Sequence, residues 1–450
     1  MACKGRHTPL GFKIQKEEIQ MRNLKRALSL ALAAIMLVGM MVVSASAASY
    51  NNLTDKDEIV NKDAVSMLVS LGIIEGKPDG SYGPTENVDR AQMAKMLSVI
   101  MNKGVDNSAL YQSVNSGLVD VNTNWAKGHI NYCYTTGIIA GRGNGKFDPS
   151  ATVTALEAAK MLLVAVGYDP AIEGFEGADW AINVSVRADE QGIFEGFTKD
   201  LSAPLNRDDA ALLIYNALDV EMIQSYTTNN YPIVYSDHRT ILSDKYGVIK
   251  VEGVVTANEW AILDDDTDTA LQEGKTRIYN PDGILSTTGN TAVAQDSSAN
   301  VKTQVFNVST PVDMLGKAVT MYVKKTTILA DSTVYGAPVV SDVNTVIETG
   351  EKVTGGDSKD DDSLAALLKG TGLATDKATE YYHNYEEVAI DSADVDDIMN
   401  VKGAALTVID NDNDGYVNYV ISVEKSLTHV SGVSSKNETT TLYGLPGDDV

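Results

Sequence analysis

Three stretches of the chain share one pattern of apolar and polar positions, in which two amphipathic helices are joined by a glycine-rich loop. In the first helix of each stretch, small or apolar residues recur at helical spacing on one face, most weakly in the third copy. These residues are Ala64, Val65 and Leu68, then His129, Ile130 and Cys133, then Val184, Ser185 and Ala188. One helix pair of this size cannot bury its apolar face alone, so the pattern predicts pairs that stack on one another.

The predicted helices have their own start and stop signals. Gly72, Gly137 and Gly192 follow the first helices as C-terminal caps, each with an isoleucine next to it. The second helices open with an oxygen-bearing residue and carry a carboxyl or amide residue three positions later, which is the spacing of a capping box. These pairs are Asp89 with Gln92, Thr154 with Glu157, and Asn206 with Asp209.

The repeat is explicit when the sequence is shifted against itself. An offset of 65 places "GIIEGKPDGSYGPTENVDRAQMAKML", from Gly72, on "GIIAGRGNGKFDPSATVTALEAAKML", from Gly137. A further offset of 55 carries Trp125 onto Trp180, and the third copy has a loop three residues shorter. Because turn residues are repeated along with apolar ones, each copy is one structural unit. We predict three helical repeats, at residues 53–104, 118–168 and 175–222.

From about Ser225 the pattern becomes an alternation of apolar and polar residues, rich in Val and Thr, between turns of Asp, Asn and Gly. It predicts a β-rich module, sandwich or barrel-like, over residues 225–355 and a second β-rich segment over residues 364–450. The acidic stretch "GGDSKDDDS" from Gly355 is predicted to be an exposed loop between them, with an acidic binding tail as the weaker alternative. The chain ends at "LPGDDV" without an obvious terminal element, as expected for the front of a longer protein.

The first 47 residues fit neither pattern. From Met21 the sequence "MRNLKRALSLALAAIMLVGMMVVSASA" has a basic start, an uncharged apolar stretch and a final Ala-Ser-Ala. These features define a secretory signal peptide cleaved after Ala47, and the alternative is a retained membrane anchor. We therefore assign residues 1–47 to a leader and expect an exported protein with no membrane segment after cleavage.

Charge and cysteine content exclude several functions. The leader holds seven of the 36 Lys and Arg and two of the 61 Asp and Glu, so the mature chain carries 29 against 59, a net charge of −30. A surface this acidic argues against nucleic acid as a partner, because phosphate binding needs cations. Two cysteines, Cys3 and Cys133, provide neither a disulfide framework nor a cysteine-rich metal site. Cys133 and His129 share an apolar helix face, so we expect an inert core thiol and a satisfied interior histidine.

The repeat resembles the S-layer homology domain. The resemblance lies in Trp-x-x-x-x-Ile, in Gly-Ile-Ile-x-Gly-x-x-x-Gly-x-Phe-x-Pro and in a Thr-Arg-Ala-Glu-like helix start, in three tandem copies over about residues 53–222. It implies an all-α, three-lobed bundle with pseudo-threefold symmetry, here within a multidomain protein. It also implies noncovalent attachment to the bacterial cell wall, commonly through a secondary wall polysaccharide whose pyruvate ketal carboxylates lie in grooves between repeats.

Such a carboxylate needs a cation, hydrogen-bond donors and a flat apolar wall. Arginines at the first turn of a helix can combine their guanidinium with free backbone N–H groups. The repeated tryptophans are candidates for the wall, although core packing explains them equally well, and glycines let the loop backbone approach a sugar. The candidate ligand-binding residues are Arg90, Arg207, Trp125, Trp180, Gly76 and Gly141.

The copies depart from the family pattern in two places. The arginine position of the second copy is Ala155, and the first copy has Val60 where the others have tryptophan. At most two of three grooves then keep their arginine, and the second repeat is expected to be structural. Two sites on one polymer still hold firmly through effective concentration. For Arg90 and Arg207 the alternative is a solvated arginine paired with a nearby carboxylate.

One motif in the β-rich part resembles a calcium loop. Asp410, Asp412 and Asp414, followed by Gly415, reproduce positions 1, 3, 5 and 6 of an EF-hand loop. Position 12 is Ile421 instead of glutamate, and the flanks are strand-like. A hairpin turn is therefore the first interpretation and weak calcium binding the second. No other cofactor is predicted.

The sequence contains no recognisable catalytic constellation, because its histidines are scattered and no Gly-x-Ser-x-Gly elbow occurs. The first hypothesis is a noncatalytic surface protein, an S-layer subunit or a wall-associated structural protein. Its predicted partner is a secondary wall polysaccharide or peptidoglycan, with self-association in a surface lattice as a further option. The alternative is an anchored extracellular enzyme or adhesin whose C-terminal half acts on or binds polymer.

Overall fold

The computed structural model describes residues 50–263, 270–281, 283, 302–324, 332–350, 364–388, 403–424, 430–434 and 439–442. The predicted signal peptide and the acidic segment 355–363 lie outside the described residues. Within the part that is described, no helix is both long and apolar enough to cross a membrane.

The N-terminal region is helical, and its helices occur as the three predicted pairs. They are α1 (Lys62–Ser70), α2 (Arg90–Met101), α3 (Lys127–Thr135), α4 (Ala155–Val166), α5 (Trp180–Glu190) and α6 (Arg207–Leu218). The glycines predicted as C-terminal caps are confirmed, since Gly72, Gly137 and Gly192 have φ angles of +69°, +79° and +68°.

The predicted helix starts are confirmed, with one difference in the third repeat. In the first two repeats both halves of the capping box are formed. In the third, the Asn206 side chain accepts from the Asp209 N–H, but the Asp209 carboxylate pairs with Lys199. Aspartate is one methylene shorter than glutamate or glutamine, so its carboxylate is less able to reach back to the N-cap.

The repeats pack in a closed order. Helix α2 packs on α3, α4 packs on α5, and α6 returns to pack on α1. At the centre, the residues before the three N-caps form a ring of backbone hydrogen bonds: Val88 N–H donates to Leu205 at 2.8 Å, Leu205 to Val153 at 2.7 Å, and Val153 to Val88 at 2.9 Å. All three side chains are buried, so this ring holds the three helix starts together.

The described part of the β-rich region forms two five-stranded sheets and two two-stranded sheets. The strands are β1 (Ile223–Tyr226), β2 (Pro232–Val234), β3 (Val248–Ala257), β4 (Thr276–Tyr279), β5 (Thr303–Phe306), β6 (Ala318–Lys324), β7 (Val334–Val340), β8 (Thr345–Glu348), β9 (Glu380–His383), β10 (Glu386–Glu387), β11 (Ala404–Asp410), β12 (Tyr419–Glu424), β13 (Val430–Ser434) and β14 (Thr439–Leu442). A short helix, α7 (Leu364–Leu368), precedes β9.

The first large sheet has the order β5-β4-β3-β6-β7, and its neighbouring strands are all antiparallel. The second has the order β10-β9-β12-β11-β8 and includes one parallel pair, β12 with β9. Because β8 precedes residue 355, the second sheet takes strands from both predicted β segments. Buried residues of the two sheets, such as Ile249 and Ile421, belong to one apolar cluster.

The helical core continues into the start of the β-rich region. Tyr322 of β6 meets Tyr215 of α6 edge to face, with 5.9 Å between ring centroids. Gly336 of β7 lies against Met67 of α1, and the buried side chains of Tyr246 and Val248 belong to the same cluster as the helices. The first sheet is therefore packed directly on the helical repeats.

Candidate functional site

Arg90 does not serve the loop of its own repeat. From the start of α2 it reaches the loop of the second repeat, where its Nε donates to the Phe147 carbonyl at 2.9 Å and its Nη2 to the Ala140 carbonyl at 2.8 Å. The guanidinium carbon lies 4.4 Å from the centre of the Phe147 ring, and only 4% of the residue is exposed. Burial, together with the nearby charge of Arg142, lowers the pKa of Arg90 to about 10, so it is still a cation at neutral pH.

Arg207 of the third repeat makes the matching contacts with the first repeat. From the start of α6 it reaches the loop of the first repeat, donating from Nε to the Tyr82 carbonyl at 2.8 Å and from Nη2 to the Glu75 carbonyl at 3.1 Å. Its guanidinium lies 4.7 Å from the centre of the Tyr82 ring, whose hydroxyl donates to the Arg207 carbonyl. Neither arginine is the solvated, carboxylate-paired side chain of the alternative interpretation.

The backbone N–H groups at these helix starts are not free. The Arg90 N–H donates to Ala151 at 2.9 Å and the Ala91 N–H to Pro149 at 3.0 Å, while the Arg207 N–H donates to Glu86 at 2.8 Å. The expectation that they converge on an anion was wrong, because the loop of the neighbouring repeat supplies carbonyl partners. An anion at these positions must therefore be held by other donors, foremost the cationic side chains.

Arg207 lines a groove of about 200 Å³ between the first and second repeats, here called the first groove. The loop of the first repeat contributes Gly76 and Lys77, α2 contributes Lys95, and Trp125 stands before α3. Trp125 is 58% exposed, which excludes the core-packing interpretation for this tryptophan. The groove thus combines three cations with a flat aromatic side chain.

Arg90 lines an equivalent groove of about 360 Å³ between the second and third repeats, here called the second groove. The loop of the second repeat contributes Gly141 and Arg142, α4 contributes Lys160, and Trp180 opens α5. Trp180 is half-buried, and the Lys160 ammonium lies 5.6 Å from the centre of its ring. Burial lowers the pKa of Lys160. Each groove therefore takes its loop, its arginine and its tryptophan from three different repeats.

The sequence analysis did not single out the other groove cations, which are Lys77, Lys95, Arg142 and Lys160. Lys95 and Lys160 are related by the offset of 65, and each lies on the second helix of its repeat, facing the groove. Their repetition could have identified them, because a lysine at the same position among apolar residues of two repeats indicates a function. In the third repeat the matching position on α6 is Leu212.

Among the described residues, the matching positions at the third contact between repeats carry none of these groups. By sequence offset, Ala155 corresponds to the arginine, Val60 to the tryptophan and Leu212 to the lysine. The Leu212 methyl groups lie against the loop at Gly196. The α4 start faces the loop of the third repeat, as shown by the hydrogen bond from Leu156 N–H to the Leu201 carbonyl. The loop without an arginine is therefore that of the third repeat. The loop of the second repeat still lines a groove with an arginine, because Arg90 of the first repeat supplies it.

Gly76 and Gly141 line the grooves, but their missing side chains serve the loops. A Cβ at Gly141 would lie 2.9 Å from the Lys146 carbonyl oxygen, and one at Gly76 would lie 3.0 Å from a Leu53 methyl group. Gly141 is thus required by the backbone of its own loop, whereas a side chain at Gly76 would press on the flexible Leu53 side chain. The expectation that these glycines let the loop backbone approach a sugar stays a prediction.

Two aspartates fix the loops that receive the arginines, and sequence reasoning missed them as well. The Asp120 carboxylate accepts from the N–H groups of Phe147 at 2.9 Å and Asp148 at 2.8 Å. Asp55, 65 positions earlier, accepts from the matching groups of the first loop. Burial alone would raise the pKa of each aspartate, but the hydrogen bonds to the carboxylate outweigh it and lower the pKa.

The two interior residues expected from the sequence are confirmed. His129 is buried with its Nδ1 hydrogen-bonded to the Ser98 hydroxyl, and burial lowers its pKa. Cys133 is buried on the same helix, and burial raises the pKa of its thiol. Neither side chain is available to a ligand in the groove.

The calcium-like motif forms the turn between β11 and β12. One carboxylate oxygen from each of Asp410, Asp412 and Asp414 lies within 4.8 Å of the others. Asp410 is buried and accepts from the N–H groups of Asp412 at 3.3 Å, Asn413 at 2.8 Å and Gly415 at 3.1 Å. The hairpin-turn interpretation is confirmed, and calcium binding stays a prediction.

Comparison with known families agrees with this geometry. The family model of the S-layer homology domain matches residues 52–94 and 119–159, which contain the two loops that receive the arginines. The chain carries S-layer homology domains. The matched residues lie in the first and second repeats, and the third helix pair lies outside them.

The similar proteins include two that are named as bacterial surface proteins and one that is named as an enzyme. The chain is 27% identical to a cell surface protein of Thermoanaerobacter kivui over 87% of its own length and 44% of that relative. It is 33% identical to an S-layer protein of Bacillus licheniformis over 25% of its length and 12% of the relative. An exoglucanase of Acetivibrio thermocellus is 30% identical over 35% of the chain and 15% of that enzyme. The chain spans less than half the length of each of these relatives. It is a secreted, cell-wall-associated surface protein.

Proposed function

We propose that the chain is a noncatalytic surface protein, anchored by an anionic, pyruvylated wall polysaccharide that binds in the first and second grooves. The observation that carries this proposal is the pair of matched grooves, each lined by three cations and a tryptophan. The chain as a whole has a formal net charge of −25. Cations concentrated in two narrow grooves of an acidic protein provide local sites for carboxylates without general affinity for polyanions.

The grooves suit a charged sugar better than an isolated ion. A carboxylate can pair with the guanidinium and the lysine ammonium, while the sugar ring lies against the indole. The arginine is already held by two loop carbonyls, so little side-chain entropy is lost on binding. Because the two grooves lie on one rigid bundle, a polymer that occupies both gains from effective concentration.

We also propose that residues 175–222 are a third S-layer homology repeat and that the three repeats form a pseudo-threefold bundle. The closed packing order of the helices and the central ring of Val88, Val153 and Leu205 support this. In this arrangement the third position is a degenerate groove that keeps its packing role.

An anchored enzyme remains the second candidate, because an exoglucanase and an amylopullulanase are among the relatives. Their similarity covers 35% of the chain each, close to the length of the helical repeats. The cell surface protein instead matches 87% of the chain and so extends into the β-rich region. This favours a structural role for the β-rich region, with self-association in a surface lattice as part of the proposal.

The test is co-sedimentation of the mature chain with cell-wall sacculi that are either intact or stripped of secondary polysaccharide. We expect binding to intact sacculi only, weakened at least about tenfold by Arg207→Ala, because a charge-assisted contact is lost. Arg239→Ala, which removes an arginine outside both grooves, is the matched control and should bind as wild type. Equal binding to stripped walls, or no effect of Arg207→Ala, contradicts the proposal.

A further inference from the structure

The first and second grooves differ at one matched position. Gln92 of α2 lines the first groove, and Glu157 of α4, 65 residues later, lines the second. Both side chains accept from the backbone N–H of their own N-cap residue, at 2.9 Å for Gln92 and 3.3 Å for Glu157. The local structure is therefore the same in both repeats, while the charge beside the ligand position is not.

Glu157 is a shielded carboxylate, with only 14% of its side chain exposed. It forms an ion pair with Arg142 and so engages one of the three cations of the second groove. In the first groove the matching cation, Lys77, pairs with Glu86, which does not line the groove. The carboxylate that does line the first groove, Glu75, is 66% exposed and approaches Lys95 at 3.5 Å.

These differences have unequal effects on a bound anion. An exposed carboxylate is screened by water and salt, so it opposes a second negative charge only weakly. A shielded carboxylate is screened much less and repels a ligand carboxylate in the same groove. It also reduces the charge that Arg142 can offer to the ligand. Besides Glu157, the second groove has an exposed carboxylate, Glu176.

We propose that Gln92 and Glu157 make the two grooves unequal, so that the first groove binds an anionic sugar more tightly than the second. This inference rests on the proposed function, and it assigns these two residues as determinants of affinity. The first groove would capture the polymer, and the second would add the avidity that retains it.

The tryptophans allow each groove to be measured separately in the full mature chain. The chain has three tryptophans, of which Trp125 lines the first groove, Trp180 lines the second, and Trp260 lies in the β-rich region with 64% exposure. The variant Trp180→Phe/Trp260→Phe leaves one reporter in the first groove. The variant Trp125→Phe/Trp260→Phe leaves one reporter in the second. The probe is a methyl glycoside that carries a 4,6-linked pyruvate ketal, titrated by fluorescence.

We expect the first groove to bind this probe about fivefold more tightly than the second. Gln92→Glu should weaken the first groove by a similar factor, and Glu157→Gln should tighten the second. Each swap installs the residue that the other repeat already uses, so both capping boxes remain formed. Gln112→Glu, an exposed position outside both grooves, adds the same charge and should change neither affinity.

The outcomes separate this inference from the proposed function. If both reporters bind the probe with equal affinity and the swaps have no effect, the inference is wrong and the anchoring proposal stands. If neither reporter responds to the probe, the anchoring proposal fails and the inference fails with it. If the first groove binds the probe more tightly and Gln92→Glu removes this difference, both the inference and the anchoring proposal are supported.

Discussion

Arg90 holds two repeats together in addition to lining the second groove, so its removal should destabilise the protein. Arg90→Ala deletes two hydrogen bonds from a charged donor to the carbonyls of Phe147 and Ala140. Bonds of this kind contribute about 1.5–3 kcal/mol each, and the contact with the Phe147 ring adds about 1 kcal/mol. Burial of the guanidinium offsets part of this, as its lowered pKa indicates. We expect a net loss of about 3 kcal/mol in the free energy of unfolding.

The assay is urea unfolding of the mature chain, followed by tryptophan fluorescence, to which Trp125 and Trp180 of the helical repeats contribute. The midpoint should fall while the slope of the transition stays unchanged, because the surface exposed on unfolding is the same. Arg90→Lys is the matched control: lysine keeps the charge but reaches one carbonyl at a time, so it should lose about half as much stability.

A stability within about 1 kcal/mol of wild type would refute this reasoning. It would mean that water satisfies the two carbonyls as well as Arg90 does. Arg90 would then contribute little to the contact between the two repeats. The result also decides how wall-binding data are interpreted, because a variant that loosens the second loop loses binding for a structural reason. Arg207 is less buried than Arg90 but makes matching contacts with the first loop, so the unfolding midpoint of Arg207→Ala is measured beside its wall binding.

Asp55, Asp120 and Cys133 can be tested through the pH dependence of stability and through thiol reactivity. The lowered pKa values of Asp55 and Asp120 contribute stability that is present above the unfolded-state pKa of about 3.9 and is lost as pH falls through the folded-state values. The urea midpoint should therefore drop between pH 5 and pH 3 and drop less in Asp55→Asn/Asp120→Asn, whereas an equal drop in both proteins would exclude the two aspartates. Cys133 should not react with a thiol reagent until urea unfolds the helices, because it is buried and its pKa is raised. Reaction of the native chain at the rate of a free thiol would contradict the buried assignment.

Local features of the fold were predictable because the residues that decide them are close together in the chain. The N-caps Asp89, Thr154 and Asn206 lie within three positions of their partners, and the capping glycines directly follow their helices. The alternation after Ser225 predicted strands for the same reason. The pairing of those strands was not predictable, since Thr345 of β8 pairs with Asp410 of β11, far along the chain.

The residue pattern alone predicted the helical repeats, the residues that cap them, and the absence of arginine from one copy and of tryptophan from another. The fold, and not the pattern, shows that Arg90 and Arg207 reach the loops of other repeats and that the helix start with Ala155 faces the loop of the third repeat. This is because each helix start is held by carbonyls of a neighbouring repeat, and the closed packing order selects which neighbour that is. A repeat pattern shows what each copy contains, but a groove is formed by three copies at once.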